Sequence, residues 1–236
     1  MYMASVAQTD ACIGIVLQAL AQLNLTAGTI IVLTADHGYF LGEHGMFAKN
    51  SLFDTSTRVP LVFHVPLNLA PAVSEDLKAL KVIDGVMEHL SLFRTLANLA
   101  GITVPRAVAG VDYSPLVRAA LSGASVAWPA DAAAYSQVTR CQARDQKCSV
   151  DPYELFTAMG FSVRTAQWRY VVWVAALPPA VPVWTSVLAR ELYDHRGDAG
   201  FALQDEAVNV QDQFPLVCAQ LHATILARFQ NDTYVA

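Results

Sequence analysis

Apolar side chains at Val6, Ile13, Val16, Leu17, Leu20 and Leu23 recur at helical spacing and predict a helix from Tyr2 to Leu23. The stretch Asn24 to Gly28 breaks that pattern, and the β-branched run Thr29-Ile-Ile-Val-Leu-Thr34 follows it. A continuous run of this kind suits a strand covered on both faces, as in a parallel α/β sheet. A second strand is predicted at Val59-Pro-Leu-Val-Phe-His-Val65, with Pro60 near its start and Pro66 ending it. Between the two runs lies a long irregular loop, from Ala35 to Arg58. A short strand near Leu80 to Ile83 and a helix from Met87 to Ala100 come next, with Gly101 placed to close the helix. Residues Pro105 to Asp131 are rich in Ala, Pro, Ser and Gly and predict a connection holding one short helix.

After Ala134 the period changes. Met159 to Val174 contains two alternating segments around a short polar turn, the pattern of a β-hairpin. Pro178, Pro179 and Pro182 interrupt the chain, Arg190 to Asp194 returns as a strand, and Phe214 to Phe229 reads as a terminal helix. The fold class that follows is α/β over residues 1–133, then a smaller α+β subdomain with an antiparallel sheet over residues 134–236. No internal repeat is visible.

Composition narrows the function. Of 236 residues, 54% are apolar and 15% charged, enough to build a core and inconsistent with disorder or a coiled coil. The net charge of −5 and the lack of any basic run argue against nucleic acid as a partner. The uncharged run Ala11 to Ala35 is long enough to span a membrane, but Gln18, Gln22, Asn24, Thr26 and Gly28 interrupt it, so helix, turn and strand explain it better than a transmembrane segment. Met1-Tyr-Met-Ala-Ser lacks the basic flank of a signal peptide, and the chain reads as though it starts inside a domain. Of four cysteines, only Cys141 and Cys148 are close in sequence, and a local disulfide there fits a secreted chain. Asn-x-Thr triplets at Asn24 and Asn231 point the same way.

The segment from Thr34 to Lys49 carries the chemistry. Asp36 and His37 directly follow a predicted strand, where ligands of open α/β sheets gather. A carboxylate beside an imidazole can ligate a divalent cation. Gly38, Gly42 and Gly45 let the loop turn tightly. Lys49 can place a positive charge on an anionic substrate. The plainer alternative is a turn in which Asp36 caps backbone amides. Glu43 and His44 fit a solvated loop or internal hydrogen bonds, His64 fits a core or edge position on its strand, and Asp54 with Arg58 fits a structural ion pair. His89, His195 and His222 stand alone in sequence and receive no chemistry.

The string from Thr29 to Phe63, with its Thr34-Ala-Asp-His-Gly38 and Gly42-Glu-His-Gly45 elements, resembles the sulfatase family of the alkaline-phosphatase superfamily, above all its iduronate-sulfatase branch. Tyr2 to Asp10 resembles the family's preceding helix, and Leu90 to Gly101 its following one. Ala134 to Gln137, Met159 to Thr165, Trp168 to Val174 and Glu191 to Asp194 are similar to its C-terminal subdomain. The resemblance implies a sulfuric ester hydrolase acting on a sulfated sugar or glycosaminoglycan, in a lysosomal or secreted setting. It implies a bound divalent metal, usually calcium, with Asp36 and His37 as ligands and Lys49 contacting sulfate. The family nucleophile is a formylglycine made from the cysteine of Cys-x-Pro-x-Arg, and none of Cys12, Cys141, Cys148 or Cys218 stands in that motif. The expectation is therefore the C-terminal half of a sulfatase, with the C-terminal part of its doubly wound sheet in residues 1–133 and its smaller α+β subdomain in 134–236; the missing N-terminal half brings the nucleophile. Two other readings stay open: a metal-dependent phosphoester or phosphonate hydrolase of the same superfamily, and a catalytically inactive fragment.

Overall fold

The computed structural model describes residues 1–66, 82–141, 156–178, 180–197 and 206–230. In chain order its elements are α1 (Tyr2–Gln22), β1 (Ile31–Thr34), β2 (Phe40–Leu41), β3 (Phe47–Ala48), α2 (Asp54–Thr57) and β4 (Leu61–His64). They continue with α3 (Leu92–Leu99), α4 (Ser114–Leu121), β5 (Ala134–Cys141), β6 (Phe156–Arg164), β7 (Trp168–Leu177), β8 (Val181–Asp194) and α5 (Pro215–Phe229). The chain divides into two compact units. One holds residues 1–34, 60–83 and 90–127; the other holds 35–59, 84–89 and 128–236.

In the first unit β1 and β4 form a two-stranded antiparallel pair, with Ile31 opposite His64 and Thr34 opposite Leu61. This departs from the parallel, doubly covered strand that the β-branched run predicts. Leu33 and Thr34 are exposed, and so is His64. An uninterrupted apolar run records hydrophobicity but not the direction of the neighbour, and four residues are too few to separate the cases. The core here is small: Val65, Leu99 and Val117, with Ile30, Phe63, Leu96 and Leu121 against them. Buried hydroxyls on the α3 side tie down the segment entering α4. Ser91 Oγ accepts the Val111 amide at 3.0 Å, and Thr95 Oγ1 accepts the Tyr113 amide at 3.1 Å. The helix predicted from Met87 begins only at Leu92, after a tight turn over His89–Ser91. Gly101 closes it as expected: it adopts φ +72°, and the Ile102 amide reaches back to the Ala97 carbonyl at 2.8 Å. Helix α1 buries none of its residues. Of the strand expected near Leu80, residues 80 and 81 lie outside the described residues, and Val82 and Ile83 are irregular.

The second unit is built on a four-stranded antiparallel sheet in the order β5-β6-β7-β8. The predicted hairpin is β6–β7. Thr165 fixes its turn: its amide donates to the Trp168 carbonyl at 2.8 Å, while its hydroxyl accepts the Trp168 amide at 3.1 Å. Alternate residues of β7, namely Trp168, Tyr170, Val172, Val174 and Ala176, join Phe161, Val163 and Leu192 in a core shared with Leu221 and Ile225 of α5. The intervening residues Arg169 and Val171 are also buried, so β7 is covered on both faces. Strand β8 extends much further back than the predicted Arg190–Asp194, to Val181. In the turn before it Ala180 takes φ +90°, and Pro182 falls at the second residue of the strand, opposite Ala176. Cys141 is disulfide-bonded, whereas Cys12 and Cys218 are free thiols. Cys148, the expected partner, lies outside the described residues.

Candidate active-site loop

The loop over residues 35–59 is ordered from within. Phe40 pairs with Ala48 and Leu41 with Phe47 in the β2–β3 ribbon, around a turn in which Gly42, His44 and Gly45 all take positive φ. Glu43 accepts the Leu41 amide at 2.6 Å, and that backbone hydrogen bond holds its carboxyl below the usual range. Glu43 thus makes the internal hydrogen bond expected of a loop residue. The His44 ring lies flat on Phe53, with centroids 4.2 Å apart and planes 3° from parallel. Phe53 in turn packs against Phe40 and against Tyr193 of β8.

Asp36, His37 and Lys49 come together at one point. Asp36 Oδ1 accepts the His37 amide at 3.0 Å. His37 Nδ1 lies 2.8 Å from the Gly38 carbonyl oxygen. A carbonyl only accepts, so Nδ1 carries the proton and Nε2 offers its lone pair. Two groups face that lone pair: Lys49 Nζ at 2.6 Å and Asp36 Oδ2 at 3.2 Å. Two donors held about 2.3 Å from one cation at a right angle lie about 3.3 Å apart, so the Asp36–His37 pair fits the edge of a metal coordination shell. The Asp36 side chain is 83% exposed, which leaves its carboxylate open to further contacts. Lys49 Nζ occupies the same lone pair.

This geometry depends on Gly38. Its amide donates to the Ser56 carbonyl at 2.8 Å, and a Cβ at position 38 would overlap the Thr55 carbonyl oxygen. The Ser56 hydroxyl donates to the Lys49 carbonyl. The one-turn helix α2 therefore grips both ends of the Asp36–Lys49 segment.

Beneath α2 lies a buried charge network that the sequence did not disclose. Arg169, 2% exposed in its side chain, donates through Nε to Glu206 and through a terminal nitrogen to Asp54. The same nitrogen reaches Thr57 Oγ1 at 3.0 Å. Glu206 Oε2 also accepts the Asp54 amide at 2.6 Å, and His195 Nε2 lies 3.2 Å from Glu206 Oε1. Arg164 Nε is 3.4 Å from Asp54, while Arg58, expected as the partner of Asp54, is at 3.9 Å. Burial pushes the Asp54 carboxyl up, but Arg169 and then Arg164 outweigh it, and the net shift is downward. Burial likewise disfavours the Arg169 charge, and Glu206 and Asp54 more than restore it.

Ligand atoms of Asp54, His195 and Glu206 all lie within 4.8 Å of one another, close enough to hold a metal. The guanidinium of Arg169 already bonds both carboxylates, however, so the network has its cation. His195, which stands alone in sequence, belongs to this network, and His222 pairs with the Tyr170 hydroxyl at 3.2 Å. A signal for the network existed at Arg169 alone: a single charge inside the apolar strand Trp168–Val174 demands a buried partner. Nothing local marked Glu206 or His195.

The fold is that of a class of solved structures that includes phosphonate monoester hydrolases. One protein solved with its substrate D-glucosamine-2-N,6-O-disulfate superposes with a TM-score of 0.68 over 97% of this chain and 40% of its own, at 22% identity. The phosphonate monoester hydrolase of Silicibacter pomeroyi gives 0.63 over 95% of this chain and 39% of its own, at 23% identity. Within that class, residues 1–102 match the sulfatase family model, and iduronate 2-sulfatase of Mus musculus is 34% identical over 229 residues, covering 81% of this chain and 41% of the relative. The chain belongs to the sulfatase family and spans about two fifths of the length of these relatives. Helix α1 is apolar and long enough to cross a membrane by length and composition, and it falls within the residues that match the family.

Proposed function

We propose that this chain carries part of the active site of a sulfuric ester hydrolase, one that removes sulfate from a sulfated sugar or glycosaminoglycan in the manner of iduronate 2-sulfatase. The observation that carries the reading is the convergence of Asp36 Oδ2 and Lys49 Nζ on the unprotonated Nε2 of His37. Asp36 and His37 would hold a divalent metal, calcium in this reading, and that metal supplies charge that polarises the sulfate ester. The Gly38 carbonyl keeps the proton on Nδ1 and so keeps Nε2 available as a ligand. Lys49 would then place its ammonium on a sulfate oxygen and offset the charge that develops as the S–O bond breaks. The nucleophile, a formylglycine from Cys-x-Pro-x-Arg, is assigned to the rest of the sulfatase domain, since no cysteine here has that context. The bonded Cys141 supports a secreted or lysosomal setting, because structural disulfides persist where the medium is oxidising.

The test joins this chain to a nucleophile-bearing sulfatase N-terminal region and measures release of sulfate from an aryl sulfate and from a sulfated disaccharide. Lys49→Ala and His37→Ala are each expected to lower kcat/KM by about 100-fold or more. Unchanged turnover in both variants would overturn the assignment. The superposition on a phosphonate monoester hydrolase favours a second reading, hydrolysis of phosphonate or phosphate monoesters. The same joined enzyme, offered a phenyl phosphonate ester beside the aryl sulfate, separates the two by which kcat/KM is larger.

A further inference from the structure

We propose that Arg169 and Glu206 are positioning residues for the Asp36–His37–Lys49 site. They act on it through α2, although they lie 115 and 152 residues from Asp54 in sequence. The proposal rests on the reading of that site as the metal- and sulfate-binding centre. The path consists of hydrogen bonds already described. The Arg169 guanidinium spans both carboxylates, taking Glu206 with Nε and Asp54 with a terminal nitrogen, and that nitrogen also holds Thr57 Oγ1. Glu206 receives the Asp54 amide, so the first residue of α2 is fixed by side chain and by backbone. From α2, the Ser56 carbonyl holds the Gly38 amide and the Ser56 hydroxyl holds the Lys49 carbonyl. Gly38 adjoins His37, and its carbonyl sets the His37 tautomer. A second tie runs from Arg140 of β5 to the Asn50 carbonyl, beside Lys49.

The planar fork of Arg169 is what the role requires. One guanidinium meets two carboxylates and a hydroxyl in different directions, whereas a lysine ammonium on a flexible stem does not reproduce that fixed spread. A helix of four residues has too few internal hydrogen bonds to hold its own position, so its place is set from outside. Neither Arg169 nor Glu206 touches Asp36, His37 or Lys49 in any recorded contact, and their effect on a ligand is therefore indirect.

Hydrogen exchange on the full chain, read peptide by peptide, tests this with Arg169→Lys and Asp54→Asn as variants. Both keep a polar group in the network, and the second removes one carboxylate while leaving Arg169 and Glu206 paired. The expected result is exchange over residues 36–58 about tenfold faster in each variant, with peptides of β6 and β7 unchanged. Calcium affinity, measured by calorimetry on the same samples, is expected to fall in step. Acceleration of the loop and the sheet together would overturn the proposal, because Arg169 would then serve overall stability only. Wild-type exchange in the loop of Arg169→Lys would also overturn it, since charge alone would suffice. Exchange needs no metal or substrate, so it decides the positioning role even if the wild-type chain binds no calcium, a result that counts against the metal-site reading instead.

Discussion

Asp54 and His222 respond to acid in different ranges, and the signs follow from their surroundings. Burial raises Asp54, but Arg169 and Arg164 pull its carboxyl below the ordinary 3.8. A depressed carboxylate contributes stability that is fully present above its unfolded pKa and is lost as pH falls through the lower folded value. Asp54 should therefore stay ionised at pH 5, and its contribution should be lost only as the medium falls below the ordinary 3.8. His222 is lowered from 6.5, by burial first and by Arg190 second. Its neutral form is the one that fits the fold, so the stability it contributes is complete above 6.5 and declines as the medium becomes more acid. Denaturant midpoints at pH 7 and pH 5 should draw closer together in His222→Gln than in the wild type, whereas Asp54→Asn should leave their separation unchanged. Gly38→Ala carries a different kind of cost. Its new methyl meets the Thr55 carbonyl, so the backbone beside His37 must move, and calcium affinity should drop by tenfold or more with little change in melting temperature. At this scale the sequence singled out Asp36, His37 and Lys49 because they share one loop, and the structure brings the three together. It concealed Glu206 and His195 because their meaning lies in Arg169, a neighbour distant in sequence that only the chain's folding brings near.

Among the elements, β7 is the keel of the second unit. It pairs on both sides and is covered on both faces, by the α5 core on one and by the Arg169 network on the other. Truncating Ile225, fully buried in α5 against this sheet, should cost about 2–5 kcal/mol in chemical denaturation. Replacing Arg169 by Met should cost a comparable amount, about 3–5 kcal/mol, because it strands Asp54 and Glu206 as buried charges without their cation. The β6–β7 hairpin was visible in advance because its alternation is clean and its turn is polar. Strand β5 was not, because Tyr135, Ser136, Thr139 and Arg140 mix polar and apolar residues on half-buried positions. The length of β8 was hidden by Pro182, which reads as a breaker in sequence yet falls next to the strand's first residue, where a missing amide is tolerated. The direction of β1 relative to β4 was beyond reach for the reason already given: a four-residue apolar run fits either pairing.

For the whole molecule, the family and the fold class were legible from one segment of about thirty-five residues, and the matches extend that result along most of the chain. The chain spans 41% of the relative it matches and contains no Cys-x-Pro-x-Arg. By itself it is expected to release no sulfate from an aryl sulfate. Calcium should bind weakly, since Asp36 and His37 supply two donors where calcium takes six to eight. Titration calorimetry showing submicromolar calcium affinity would contradict that ligand set.

The tie from Asp54 to Glu206 closes a span of 152 residues. During synthesis, the segment bearing Asp36, His37 and Lys49 leaves the ribosome long before the side chains that anchor it exist. Its final shape must wait for Arg169 and then Glu206 to emerge and for β7 to be seated, so the proposed site is among the last parts of this chain to set. Nascent chains halted just before residue 206 should carry a formed hairpin and an unfastened loop, which limited proteolysis between residues 36 and 58 would reveal.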